Sequence, residues 1–110
     1  MERKNLSNEA LELIATRFKI LAEPLRLRIL HLLQDGEKSV TELTGLVAAS
    51  QPNISKHLKI LQEAGILKRQ PKGNTVFYSI ADESIFELCE VVCNSLQERL
   101  KDHARILALN

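Results

Sequence analysis

Proline and glycine cut this chain into pieces that fit short helices and one hairpin, and little else. Pro24, Gly36, Pro52, Gly65 and Gly73 stand between segments whose apolar residues recur mostly at helical spacing. Residues 7–22 carry Leu11, Ile14, Phe18 and Leu21 on one helical stripe, with Ser7 or Asn8 able to cap the start. Pro24 opens a second helix at a tolerated first-turn position, with Leu25, Ile29, Leu32 and Leu33 as its inner face. Asp35-Gly36 ends it, with Gly36 as the left-handed cap. Ser39 or Thr41 starts a short third helix, in which Leu43, Leu46 and Val47 point inward. If Ser39 is the cap, Glu42 completes a capping box.

Ser50 caps a fourth helix with Pro52 in its first turn. Its buried stripe is Ile54, Leu58 and Leu61, and Gly65 closes it. Residues 66–71 and 75–80 read as two strands joined by Lys72-Gly73-Asn74, with Val76, Tyr78 and Ile80 alternating with Thr75, Phe77 and Ser79. Residues 82–107 form a long last helix with a stripe of Ile85, Leu88, Cys89, Val92, Leu96 and Leu100. The expected class is mainly α with a small β-hairpin, in the order ααααββα. That is a winged helix-turn-helix, with the helix-turn-helix at about 39–65 and the wing at about 66–80. A length of 110 residues suits a single domain over 1–110.

Charge is distributed in a way that points to a polyanion. The net value is only +1, yet between Gln51 and Ser79 five cations (Lys56, Lys59, Lys68, Arg69, Lys72) face one acid, Glu63. Between Asp82 and Asp102 six acids face only Arg99 and Lys101. Aromatic content of 4% argues against a stacking platform for single strands. No apolar run approaches the roughly 20 residues of a membrane span. The opening Met1-Glu2-Arg3-Lys4-Asn5 lacks an apolar signal core, so the expected location is cytoplasmic and away from membranes.

The fourth helix concentrates its polar groups at its front. A helix that enters the major groove buries one face and presents hydrogen-bonding and cationic groups near its N-terminus, where free N–H groups also favour phosphate. Gln51 and Asn53 can pair with adenine edges, and Ser55 can donate or accept. Lys56, His57 and Lys59 can reach phosphate or guanine, while Ser50 and Pro52 set the first turn. Arg69, Lys72 and the Gly73-Asn74 tip add a cationic hairpin beside the groove. Taken alone, the helix also reads as an ordinary surface helix with a polar first turn, and His57 as a residue packed on its neighbour. The short turn before the helix and the basic wing after it make the combination specific.

The segment LAEPLRLRILHLLQDGEKSVTELTGLVAASQPNISKHLKILQEAGILKRQPKGNTVFYSI resembles the ArsR/SmtB family of bacterial winged-helix metalloregulators, and the likeness extends over about residues 11–100. It is carried by Pro24-Leu25-Arg26-Leu27-Arg28-Ile29-Leu30, by the run from Ser50 to Leu58, by Ala64-Gly65-Ile66-Leu67 and by the Gly73 to Tyr78 wing. The resemblance implies a homodimer built on the first and last helices (about 7–22 and 82–107), repression by occupying an inverted-repeat operator in double-stranded DNA, and release by an inducer. The amphipathic terminal helices support a dimer independently, because their stripes exceed what one small core can bury. Two-fold pairing would set the recognition helices roughly 34 Å apart, one turn of DNA.

The inducer sites of the family find few of their ligands here. The arsenic-type Cys-x-Cys at the start of the third helix corresponds to Ser39-Val40-Thr41, and the zinc-type Asp-x-His to Asp82-Glu83-Ser84, with Ser95 further on and Glu98 and His103 nearby. His31 stands where persulfide-sensing relatives carry a cysteine on the second helix. The two cysteines, Cys89 and Cys93, remain, one helical turn apart on the same side of the last helix. Thiolates suit As(III), Sb(III) or a soft divalent metal, but two cannot close a site, so a second copy would have to contribute. Oxidation across a dimer is an alternative, as is plain apolar packing. The rival functions are a redox- or persulfide-responsive repressor and a winged-helix interaction module without an inducer. No catalytic triad, carboxylate pair or phosphate-gripping loop appears, so no enzyme activity is expected.

Overall fold

Capping chemistry sets the helix boundaries. In the computed structural model, which describes residues 5–107 and side-chain surroundings up to residue 103, α1 spans Asn8–Leu21, α2 Pro24–Leu33, α3 Val40–Leu46, α4 Gln51–Glu63 and α5 Ser84–Leu107. Met1 to Lys4, on which the reading of the chain's beginning partly rests, lie outside the described residues. The Ser7 hydroxyl accepts from the Ala10 N–H at 3.1 Å. Ser39 and Glu42 form the reciprocal capping box, each backbone N–H donating to the other's side chain at 3.1 Å. The Ser50 hydroxyl accepts from the Asn53 N–H at 3.3 Å. At the far end of α4, the Gly65 N–H donates to the Gln62 carbonyl and the Ile66 N–H to the Leu61 carbonyl, both at 3.0 Å. Those two bonds are a Schellman closure, which needs positive φ at its glycine, and Gly65 has φ 77°.

Three strands form one antiparallel sheet in the order β1-β3-β2, with β1 at Lys38–Ser39, β2 at Leu67–Lys72 and β3 at Thr75–Ile80. Leu67 pairs with Ile80 and Lys72 with Thr75, so Gly73-Asn74 is a two-residue turn, with Gly73 at φ 62°. The element order is the winged helix-turn-helix expected, with β1 as an addition. Two residues are too short for any alternation to reveal, and β1 exists because Lys38 and Ser39 pair with Tyr78 and Phe77. That pairing makes β3 a central strand. Val76 to Ile80 are all half-buried as a result, and the clean alternation expected of β3 is lost. β2 begins at Leu67, one residue later than expected, although the Ile66 carbonyl carries the same register one step further by accepting from the N–H groups of Ala81 and Asp82 at 2.9 and 3.2 Å.

The core lies behind the helix-turn-helix. Ile29, Leu30 and Leu33 from α2, Leu43 from α3, and Ile54, Leu58 and Leu61 from α4 are buried together with Leu21, Val47, Ile66, Leu67 and Ile85. Leu30 replaces Leu25 and Leu32 as a fully buried member of α2, and those two are half-buried. Leu46, expected inward, is 52% exposed. The reason is local: α3 ends there, the backbone turns extended at Val47, and Val47 takes the inward place.

The terminal stripes are left largely uncovered. On α1, Leu11, Ile14 and Phe18 are exposed and Leu21 alone of the predicted stripe is buried. On α5, Ile85 is buried, but every residue from Val91 to His103 is exposed, including Val92, Leu96 and Leu100. A helix of 24 residues is about 36 Å long, so its far half stands clear of the body. Its start is held by Asp82, whose carboxylate accepts from the Ser84 N–H at 3.0 Å and the Ser84 hydroxyl at 2.5 Å. Those bonds hold the Asp82 carboxyl below its ordinary range. Among the described residues, no helix is long and apolar enough to cross a membrane.

Candidate nucleic-acid interface

Packing turns one side of α4 inward and leaves its front open. Gln51, Pro52, Ser55, Lys56 and Lys59 are exposed and Asn53 is half-exposed, while Ile54, Leu58 and Leu61 fix the rear. The side-chain amides of Gln51 and Asn53 make no hydrogen bond among the described residues, so their paired donor and acceptor groups stay available for a base edge. The Ser50 hydroxyl is occupied by capping. Lys59 approaches Glu63 at 4.0 Å with both side chains mostly in water, an attachment worth about 0–1 kcal/mol at most.

His57 departs from expectation. It is 5% exposed, and its Nδ1 accepts a hydrogen bond from the Arg26 Nε at 2.9 Å. A position three residues after Ile54 and one before Leu58 falls on the flank of the buried stripe, so the helical period itself carries the ring inward. His57 therefore does not offer an edge to DNA from the front of α4. Burial first, then the charges of Arg26 and Lys56, hold its pKa below the ordinary 6.5, with Glu23 opposing. Arg26, given no role among the candidate contacts, was legible in the sequence only as a cation in a run of leucines.

The wing also differs in detail. Lys72 forms an ion pair with Glu37 and lies 5.4 Å from the centroid of the Phe77 ring. The expected free cation is thus neutralised in the unbound protein by a residue 35 positions away. Arg69 is exposed and pairs across the ladder with Tyr78. Arg69 and Lys72, three residues apart on one strand, project from opposite faces, and Lys68 shares the face of Lys72. Gly73 and Asn74 form the exposed tip.

Cys89 is half-buried and Cys93 exposed, and both are free thiols. They line an open apolar groove of about 560 Å³ with Phe18, Leu21, Val92 and Leu96. They also border a hollow of about 280 Å³ with His31, Phe86 and Glu90. His31 bonds through Nδ1 to the Leu27 carbonyl at 2.8 Å and meets the Phe86 ring edge-on at 5.6 Å. A carbonyl only accepts, so Nδ1 is the donor in that bond. Among the described residues, no three His, Cys, Asp or Glu side chains converge closely enough to hold a metal.

Residues 23–69, which span α2 to the start of the wing, match the model of the bacterial regulatory proteins of the arsR family. An uncharacterised HTH-type transcriptional regulator of Mycobacterium tuberculosis H37Rv, Rv0081, is 39% identical over 97 residues, covering 87% of this chain and 85% of that protein. The chain belongs to the ArsR family. The crystal structure of Rv0081 matches this fold with a TM-score of 0.80 at 38% identity, covering 89% of this chain and 99% of that one. The arsenical resistance operon repressor of Bacillus subtilis is 35% identical over 79 residues, 71% of this chain and 75% of that protein. The homodimeric winged helix-turn-helix DNA-binding domain Mb0332 of Mycobacterium bovis, solved by NMR, is 29% identical with a TM-score of 0.73, covering 91% of this chain and 94% of that one. These ArsR-family relatives are regulators of transcription, not enzymes. The matched segment holds the whole helix-turn-helix, whereas both cysteines of this family member lie outside it.

Proposed function

We propose that this ArsR-family chain is a homodimeric transcriptional repressor that reads an inverted-repeat operator with the front of α4 and the wing, and leaves it when an inducer binds. The observation that carries this reading is the front turn of α4: unbonded amides at Gln51 and Asn53 beside exposed Ser55 and Lys56, over a rear locked by Ile54, Leu58 and Leu61. Exposed apolar stripes on α1 and α5 supply a surface for a second copy, and the Mb0332 domain is a homodimer of the same fold. Gln51→Ala tests base reading. It should weaken binding to the preferred site by about 1–3 kcal/mol and relax discrimination at one base pair, while affinity for random duplex stays near that of the wild type. Equal losses on both duplexes would assign Gln51 a backbone role instead.

For the inducer, we infer that Cys89 and Cys93 bind a soft metalloid or metal such as As(III) or Sb(III), with the same pair from a second copy completing the site. Support comes from their spacing, their free thiols and their place in the apolar groove between α1, α2 and α5, where ligand binding would alter the dimer. The Bacillus relative represses an arsenical resistance operon. The hollow shared with His31 favours a second reading, a redox- or persulfide-responsive thiol pair. Cys89→Ser with Cys93→Ser should leave operator affinity within a factor of about three, as conservative changes outside the core do. It should abolish release by arsenite, antimonite, cadmium and persulfide alike. Release that persists in the double variant would remove the thiols from the mechanism.

A further inference from the structure

A second polar feature adjoins the front of α4. Lys19 of α1, Glu23, Pro24 and Arg26 of the α1–α2 corner, and Asn53 and Lys56 of α4 line a cleft of about 750 Å³, with His57 in its wall. Three cations face one carboxylate there. Arg26 is half-buried and doubly held: its Nε donates to His57 Nδ1 at 2.9 Å and its Nη1 to the Ile20 carbonyl at 3.0 Å. Both acceptors are uncharged. A guanidinium Nε always donates, so His57 must keep a lone pair on Nδ1 and carry its proton on Nε2. No carboxylate lies within ion-pair distance of Arg26 among the described residues. The guanidinium is therefore oriented without being neutralised, and only two of its five N–H donors are engaged. A fixed, uncompensated cation beside two lysines is built to receive a doubly accepting oxyanion.

We propose that the cleft between the α1–α2 corner and the front of α4 seats a backbone phosphate of the bound duplex, with Arg26 as its fixed cation and the His57 imidazole and Ile20 carbonyl as the neutral groups that aim it. The proposal rests on the reading of α4 as the groove-entering helix. Asn53 and Lys56 belong both to that front and to the cleft, so a strand rising out of the groove at Asn53 passes the cleft mouth. His57 is thereby a positioning residue. The seat extends the footprint beyond recognition helix and wing, and the contact is blind to sequence.

A random-sequence duplex of about three helical turns is the probe, read by fluorescence anisotropy across a salt series with the full-length protein. Arg26→Gln should lower affinity and flatten the slope of log K against log salt by about 0.9 for each seat lost, while Lys19→Gln, on the exposed opposite wall, should shift both in the same direction. His57→Gln, which keeps a neutral acceptor, should bind more like wild type than His57→Leu. Thermal melts establish folding; if Arg26→Gln does not fold, Lys19→Gln decides. Folded variants with wild-type slope and affinity overturn the seat while leaving the reading of α4 intact. No salt-dependent duplex binding by the wild type overturns both. Inorganic phosphate should compete no better than other salts at equal ionic strength; saturable phosphate binding at millimolar concentration would make the cleft a small-anion site and overturn the duplex assignment.

Discussion

Leu96→Glu should convert a dimer into a monomer by analytical ultracentrifugation and weaken operator binding by on the order of 10²–10⁴-fold. Leu96 is 51% exposed in the single chain and lines the same groove as Phe18, which is 52% exposed. Together with Leu11, Ile14, Val92 and Leu100 they form apolar surface that the chain's own core leaves uncovered. Burying one such side chain stabilises by about 1.5–3 kcal/mol, so pairing several from two copies outweighs the cost of association. A carboxylate at position 96 would have to be desolvated without a partner, which a dimer of this size cannot absorb. The effect on DNA follows from geometry. A dimer binds its second half-site as an intramolecular step, whereas a monomer has only one α4 to offer. The monomer should retain its helical content, because Leu96 takes no part in the buried core. A Leu96→Glu protein that stays dimeric would mean the two copies meet elsewhere.

Leu58→Ala should lower stability by about 2–5 kcal/mol, which for a chain of this length corresponds to a fall in Tm on the order of 10 °C or more. Leu58 has no exposed surface, and neither have Ile54 and Leu61 on either side of it. They attach α4 to α2, α3 and the first strand of the wing, so truncation leaves a void that neighbours from several elements cannot all close. Operator affinity should fall with stability, since the front turn of α4 is aimed only by this rear attachment. Ser55→Ala, one turn away on the exposed front, should leave Tm nearly unchanged while altering DNA binding. A similar Tm loss for Ser55→Ala and Leu58→Ala would contradict the assignment of the two faces.

Much of this architecture is written locally. Ser7, Ser39 with Glu42, and Ser50 each act on N–H groups three residues ahead, and Gly65 and Gly73 sit where the backbone needs positive φ, so their roles could be read from neighbours in the chain. The stripe of α4 follows from period alone. What stayed hidden depends on partners far along the chain. β1 exists only through its pairing with β3. Lys72 meets Glu37, and Arg26 meets His57 across 31 positions, and no local pattern announces either. Leu46 fits the apolar period of α3, yet it is the last residue of α3 and Val47, on extended backbone, takes the inward place. Of the candidate DNA contacts, the α4 front was legible because polarity and burial alternate around one helix. His57 was not, because a polar residue on the flank of a buried stripe has the same spacing whether it faces a base or a half-buried arginine.

Selection of a randomised duplex pool on the full-length protein, followed by sequencing of the retained molecules, bears most directly on whether two copies of α4 enter a major groove. Enrichment of an inverted repeat is expected, with half-site centres about 10–10.5 base pairs apart and with preference lost at matching positions of both halves in Gln51→Ala. Retained pools without a common sequence, or with one unpaired half-site that Gln51→Ala reads equally well, would show that α4 does not do the reading.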